Sequence, residues 1–231
     1  VAGQTAGRYE LGLGVGSISH SLLGSVDGTL ANVGVSGYTI RADVEAESST
    51  SVGAQVTRRL RPGLDLRLRV ARTASHMRLV AHALPVGGGG PQTFTFDGLG
   101  AVSVWLADVD VAWTPWRGRL PVAPYVFAGA GATHWSITGL ESIGALPPLL
   151  ESPLDVNPVH AFLPGVVAGA GLAVGPFGPV TVAIELADHV SEDPLSDSDF
   201  HIGANFVGSG QAKDRVHSIS VAASVRYALG G

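Results

Sequence analysis

The stretch Leu60-Arg61-Pro62-Gly63-Leu64-Asp65-Leu66-Arg67-Leu68-Arg69-Val70 decides how the rest of the chain is read. Pro62-Gly63 makes a tight turn, and the residues after it alternate without a break. Side chains along a strand point to opposite faces in turn. Leu64, Leu66, Leu68 and Val70 therefore share one face, and Asp65, Arg67 and Arg69 share the other. A soluble sheet gives this pattern with its charges toward water. A membrane barrel gives it inverted, with leucines toward lipid and charges filling the interior.

Outward from that stretch the same alternation recurs. It predicts strands over about 8–19, 37–60, 64–80, 99–113, 121–136, 162–174, 179–191 and 216–229. The connections between them alternate long and short. An even strand number with short turns at one end and long loops at the other predicts an all-β fold. The expected architecture is an eight-stranded antiparallel up-and-down transmembrane β-barrel with short periplasmic turns and long extracellular loops, with residues 1–231 as one domain. The uncharged run from Phe162 to Ile184 is long enough for a membrane helix. Pro164, Pro176 and Pro179, with the turn Gly175-Pro176-Phe177-Gly178-Pro179, divide it into two strands instead. Residues 37–60 read either as one long strand projecting past a membrane or as a strand preceded by an ordered arm.

Composition points the same way. Charged residues make up 14% of the 231-residue chain, against roughly 25% in soluble domains. So few charges cover a surface only if part of that surface meets lipid. A formal net charge of −5 argues against a nucleic-acid partner, because phosphate binding needs a basic surface. With no cysteine there is no disulfide and no thiolate metal site. Val1–Gly7 lacks the basic start and apolar core of a signal peptide, so the numbering is read as that of a mature chain.

Two groups of residues carry the choice of face. Arg41, Asp43, Glu45, Arg59, Asp65, Arg67, Arg69, Asp108, Asp110, Glu185 and Arg226 all fall on the non-apolar parity, with both signs nearly balanced. Pointed inward they form a lumen charge network that plugs the barrel, since eight strands enclose just enough room for side chains. Tyr9, Trp113, Tyr125 and Tyr227 fall at short-turn strand ends, and Trp105 and Trp135 near the opposite ends. Trp105 and Trp113 are eight residues apart on one face, roughly 26 Å along a strand. These six are expected as membrane-interface aromatics in two girdles.

Three segments carry a family likeness: Pro124-Tyr125-Val126-Phe127-Ala128-Gly129-Ala130-Gly131-Ala132, Val182-Ala183-Ile184-Glu185-Leu186-Ala187-Asp188-His189-Val190, and His217-Ser218-Ile219-Ser220-Val221-Ala222-Ala223-Ser224-Val225-Arg226-Tyr227. On them the chain resembles the small outer-membrane β-barrel proteins of the OmpA-like and opacity-protein-like type. The resemblance implies an outer-membrane location. Its members include structural anchors, adhesins, narrow channels and a few lipid-modifying enzymes.

The expected function is non-enzymatic: a charge-plugged barrel with a structural or surface-interaction role through its long external loops. Membrane lipid is an expected partner, as is a protein partner or self-association through those loops; no cofactor is expected. Three other readings compete. One is a narrow channel for ions or small solutes, lined by the charged set. Another is a soluble ligand-binding barrel of reversed face sense. A lipid-ester hydrolase using His189 and Ser191 is the third. The eight histidines are scattered without metal-ligand spacing, the acidic segment 191–199 lacks the glycine and terminal glutamate of a calcium loop, and Gly87–Gly90 precedes no Lys-Ser/Thr pair. None of these is expected to hold a metal or phosphate.

Overall fold

The computed structural model of the chain describes residues 9–30, 37–116, 121–138, 158–197 and 206–229. Eleven strands run through them. They are β1 (Tyr9–His20), β2 (Gly24–Leu30), β3 (Tyr38–Ala46), β4 (Ser49–Arg61), β5 (Leu64–Pro85), β6 (Gln92–Trp113), β7 (Val122–Thr138), β8 (Val159–Phe177), β9 (Val180–Glu192), β10 (Phe206–Ala212) and β11 (Arg215–Leu229). Eight of them close a ring in the order β1-β4-β5-β6-β7-β8-β9-β11, every pair antiparallel. The expected eight-stranded antiparallel barrel is what the chain forms.

Following paired residues around the ring measures its stagger. Leu172 pairs with Ile184, and the row continues through Ala223, Val15, Val52, Arg72, Trp105 and His134. It returns to β8 at Phe162, ten residues from where it began. Eight strands with that stagger tilt at about 40° to the barrel axis. The lower end carries the short connections. One is the turn at Pro62-Gly63, where Gly63 has φ 77° and its carbonyl accepts from Thr114 N at 2.8 Å.

The remaining strands extend the wall at the upper, long-loop end. β3 pairs with the upper half of β5, β2 with β3, and β10 with β2. Segments expected as loops are therefore strand. Residues 20–36 contain β2, residues 192–215 contain β10, and the expected loop 81–98 shrinks to 86–91 because β5 and β6 pair up to Ala83 and Gln92. Arg8 and most of the expected loop 137–161 lie outside the described residues.

Residues 37–60 are neither one regular strand nor a strand with a loop arm. Both β3 and β4 pair with β5, but Ala46 faces Met77 while Ser51 faces Thr73. Five steps on one strand thus run against four on the other. The extra residue is a bulge, and a one-residue slip turns every side chain beyond it to the other face.

That slip separates two zones. In the ring, apolar residues point out: Leu13 is 72% exposed and Leu68 51%, while the inward Arg67 is 1% exposed. The reversed sense of a soluble barrel does not occur there. Above the ring the inner face is apolar. Ile40, Ala42, Val44 and Ala46 of β3 are buried with Met77, Leu79, Ala81 and Ala83 of β5 and with Val102, Val104, Trp135 and Val216.

Candidate functional site

The ring interior is built from a few inward positions on each strand. β5 supplies Asp65, Arg67 and Arg69; β6 supplies Asp108 and Asp110; β9 supplies Glu185 and His189; β11 supplies Arg226; β1 and β4 supply Glu10 and Arg59. Arg67 is the hub. Its Nε donates to Asp110 Oδ1 at 2.6 Å and its Nη1 to Glu185 Oε1 at 2.6 Å. Arg69 sits one layer up, with Nε 2.7 Å from Asp110 Oδ2 and Nη1 donating to Glu185 Oε2 at 3.2 Å. Its Nη2 reaches Asp108 Oδ2 at 3.4 Å.

Glu185 also accepts from the Tyr125 hydroxyl at 2.5 Å and from Arg226 Nη2, which itself reaches the Tyr125 oxygen at 2.7 Å. A second, lower cluster joins Arg59 to Glu10 at 3.1 Å and to Asp65 at 4.0 Å. Phe127 fills the space beside the hub, with the Arg67 and Arg69 guanidinium carbons 4.3 and 4.6 Å from its ring centre. The flat cations stack on the ring face, which carries the negative end of its quadrupole. Room for these rings comes from β8. A side chain at Gly169 would collide with Phe127, and one at Gly171 with Tyr125.

Above the ion pairs, His189 Nδ1 lies 3.2 Å from Asp108 Oδ1. Ser191 Oγ donates to the Glu192 carbonyl at 3.0 Å. The His189–Ser191 pair thus faces the lumen, away from any bilayer lipid, and each member already has another partner. Between the ion pairs and the upper core lies a cavity of about 90 Å³, lined in part by Gln55, Arg69, Asp108, His189 and Ser224. Gln55 Nε2 and Ser224 Oγ are buried there without a protein partner. A void of that size, with these polar groups in its wall, has room for about three waters.

Eight of the eleven charged residues expected in the lumen lie in these two clusters. Arg41, Asp43 and Glu45 do not. They stand on the outer face of β3, with the Arg41 side chain 63% exposed and 3.8 Å from Asp43. The bulge below them flips the parity that the alternation alone carried upward. Two expected interface aromatics are also misplaced. Tyr125 is 4% exposed and hydrogen-bonded to Glu185 and Arg226, and Trp135 is fully buried beside His20. β7 turns its odd-numbered residues inward, and Gly171 of β8 leaves the space that admits Tyr125. Tyr9, Trp105, Trp113 and Tyr227 do point outward, each more than 40% exposed. His189 lies inward, as its shared parity with Glu185 implies. Glu10 and Phe127 are lumen residues outside the expected set; Glu10 shares its face with Gly12 and Gly14, so its parity carried the signal.

No protein-family model matches the chain, and no curated protein sequence does. Solved structures do match. Neisserial surface protein A superposes with a TM-score of 0.53 at 10% identity, covering 98% of this chain and 100% of that one. The outer membrane protein AlkL, in lipid bilayers, gives 0.49 at 16% identity over 100% and 95% of the two chains. OprG of Pseudomonas aeruginosa gives 0.45 at 12% identity over 95% and 97%. The fold is that of the small outer-membrane β-barrels.

Proposed function

We propose that the chain is a non-enzymatic barrel of the Gram-negative outer membrane, a single domain whose lumen is closed and whose role is structural or in surface interaction at the upper end. The observation that supports this best is the interior itself. Three arginines and three carboxylates interlock at ring level, and an apolar core lies above them. An ion entering from below meets paired charges, and one entering from above meets hydrocarbon. Tyr9, Trp105, Trp113 and Tyr227 fit the headgroup levels on either side of the outward apolar band. Reconstituted into a planar bilayer, the protein is expected to show no steady pore. Steady ohmic conductance would overturn this reading.

The cavity beside the ion pairs favours one second reading, a narrow path for ions or small solutes through the charged set. On that reading Asp108→Asn changes ion selectivity. Unchanged currents in that variant would dismiss it.

A further inference from the structure

The outward face is not uniform around the ring. On β5 the apolar run Leu66, Leu68, Val70 ends at Arg72; on β7 the run Val126, Ala128, Ala130, Ala132 ends at His134. On β6 the outward run reaches Trp105, and on β8 it reaches Phe162 and then His160. Arg72, Trp105 and His134 are paired neighbours in one row across three strands. Strand spacing puts the backbones of Arg72 and His134 about 10 Å apart, with Trp105 between them. The Arg72 guanidinium carbon lies 5.3 Å from the Trp105 ring centre.

Charge marks this row. Arg78, higher on β5, is neutralised by Asp97 at 2.5 Å. Arg72 has no carboxylate partner among the described residues, and its guanidinium stands over the Trp105 ring. The outward carboxylates of β9, two strands beyond β7, are Asp188, beside Ala168, and Glu192, and Asp188 takes His217 at 2.9 Å. Below the Arg72–Trp105–His134 row the wall is shallow. Ala128, Ala130 and Ala132 of β7 form a floor between Ala107, Val109 and Val111 of β6 on one side and Pro164, Val166 and Ala168 of β8 on the other. Its lower end opens into an apolar groove of about 590 Å³ bordered by Trp113, Val126, Leu172 and Leu186.

We propose that this face seats one phosphate-bearing glycolipid of the outer leaflet. Its phosphate lies between Arg72 and His134 across the Trp105 ring, with His160 at the rim, and its acyl chains lie on the alanine floor. An unpaired cation at a membrane surface attracts an anion, and the guanidinium fork matches phosphate oxygens. Side chains without bulk let acyl chains approach the wall closely. The site rests on the outer-membrane reading above and adds to it a ligand and a place.

The test is native mass spectrometry of the full chain in detergent. The probes are bis-phosphorylated lipid A, the same lipid with both phosphates removed, and phosphatidylethanolamine. Wild type is expected to retain one phosphorylated lipid A in preference to the other two. Arg72→Gln with His134→Gln is expected to lower that retention by about tenfold, the loss of one or two charge-assisted contacts. Arg72→Lys keeps part of it, Ala130→Trp lowers it by blocking the floor, and Arg41→Gln on β3 leaves it unchanged. A gel shift on boiling shows that each variant is folded. Equal retention of the dephosphorylated lipid, or an unaffected double variant, overturns the site and leaves the membrane reading standing. A wild-type dimer without lipid overturns it in favour of self-association. A chain that stays soluble without detergent and retains no lipid overturns both.

Discussion

The lower and upper halves of β5 belong to one uninterrupted strand and obey opposite rules. From Leu64 to Val70 the outward side chains are apolar and the inward ones are Asp65, Arg67 and Arg69. From His76 to Leu84 the inward ones are Met77, Leu79, Ala81 and Ala83, and the outward set includes His76, Arg78 and His82. The strand keeps its parity throughout; only the residue types exchange. Its neighbour makes the same exchange in the other way. β3 and β4 keep apolar residues on even positions, and the bulge at Glu47-Ser48 turns them over. On the membrane reading proposed above, the two zones have different surroundings, lipid outside the ring and water outside the extension. A wall that crosses that boundary has to invert its faces by composition or by geometry.

Removing the bulge has the largest expected effect. Deleting Ser48 restores the one-for-one count between β3–β4 and β5, which turns Arg41, Asp43 and Glu45 inward and Ile40, Ala42 and Val44 outward. The upper sheet is expected to detach and become protease-sensitive while the ring keeps its gel shift on boiling. An intact upper sheet in that variant would show that the bulge does not set the face.

The next effect is in the lumen. Arg67→Ala leaves Asp110 and Glu185 short of a buried cation, and removing one partner of a buried pair costs about 3–5 kcal/mol. Urea unfolding in lipid vesicles is expected to show that loss. A loss under about 1 kcal/mol would mean that water already screens the cluster.

Smaller again are two substitutions on the outward side of β5. Leu68→Arg puts a charge against the bilayer, at a cost of about 2–4 kcal/mol near the midplane. Arg78→Leu, on the same side above the boundary, is expected to stay within about 0.5 kcal/mol. Equal costs would erase the distinction between the zones.

The smallest effect is a pH dependence confined to the upper end. Asp193, in the segment after β9, accepts from Leu195 N at 2.8 Å and Lys213 N at 3.0 Å. Burial raises its carboxyl to about 6, against the hydrogen bonds that lower it. The folded state therefore binds the proton more tightly than the unfolded chain. The resulting stabilisation is complete below the ordinary carboxylate range and is lost as pH rises through about 6. Exchange protection at the Leu195 and Lys213 amides, corrected for intrinsic rates, is expected to fall between pH 5 and pH 7, and to lose that dependence in Asp193→Asn.

Strict alternation and loop spacing made the ring legible, because eight of its strands carry a period of two over long runs. The lumen cluster followed from parity within single strands, as with Arg67, Asp110 and Glu185. Two features were hidden. The bulge adds one residue between Ala46 and Ser51, and polar serines and threonines there give no parity signal of their own. Tyr125 and Trp135 sit on a strand whose outward face is small in its middle, at Ala128, Ala130 and Ala132, so the large residues marked the inside where elsewhere they mark the interface. β2 and β10 are short and glycine-rich, and their pairing with each other joins segments distant in sequence.

The inversion along β5 can be measured directly, because the chain has no cysteine and single-cysteine variants carry one spin label each. Labels at Leu66, Leu68, Val70, Ala74, Arg78 and His82 would be read in lipid vesicles for collision with oxygen and with a water-soluble nickel complex. Oxygen is expected to dominate at Leu66, Leu68 and Val70, the nickel complex at Arg78 and His82, and the crossover is expected to fall near Ala74. Nickel access at Leu68, or oxygen dominance at Arg78, would contradict the inversion.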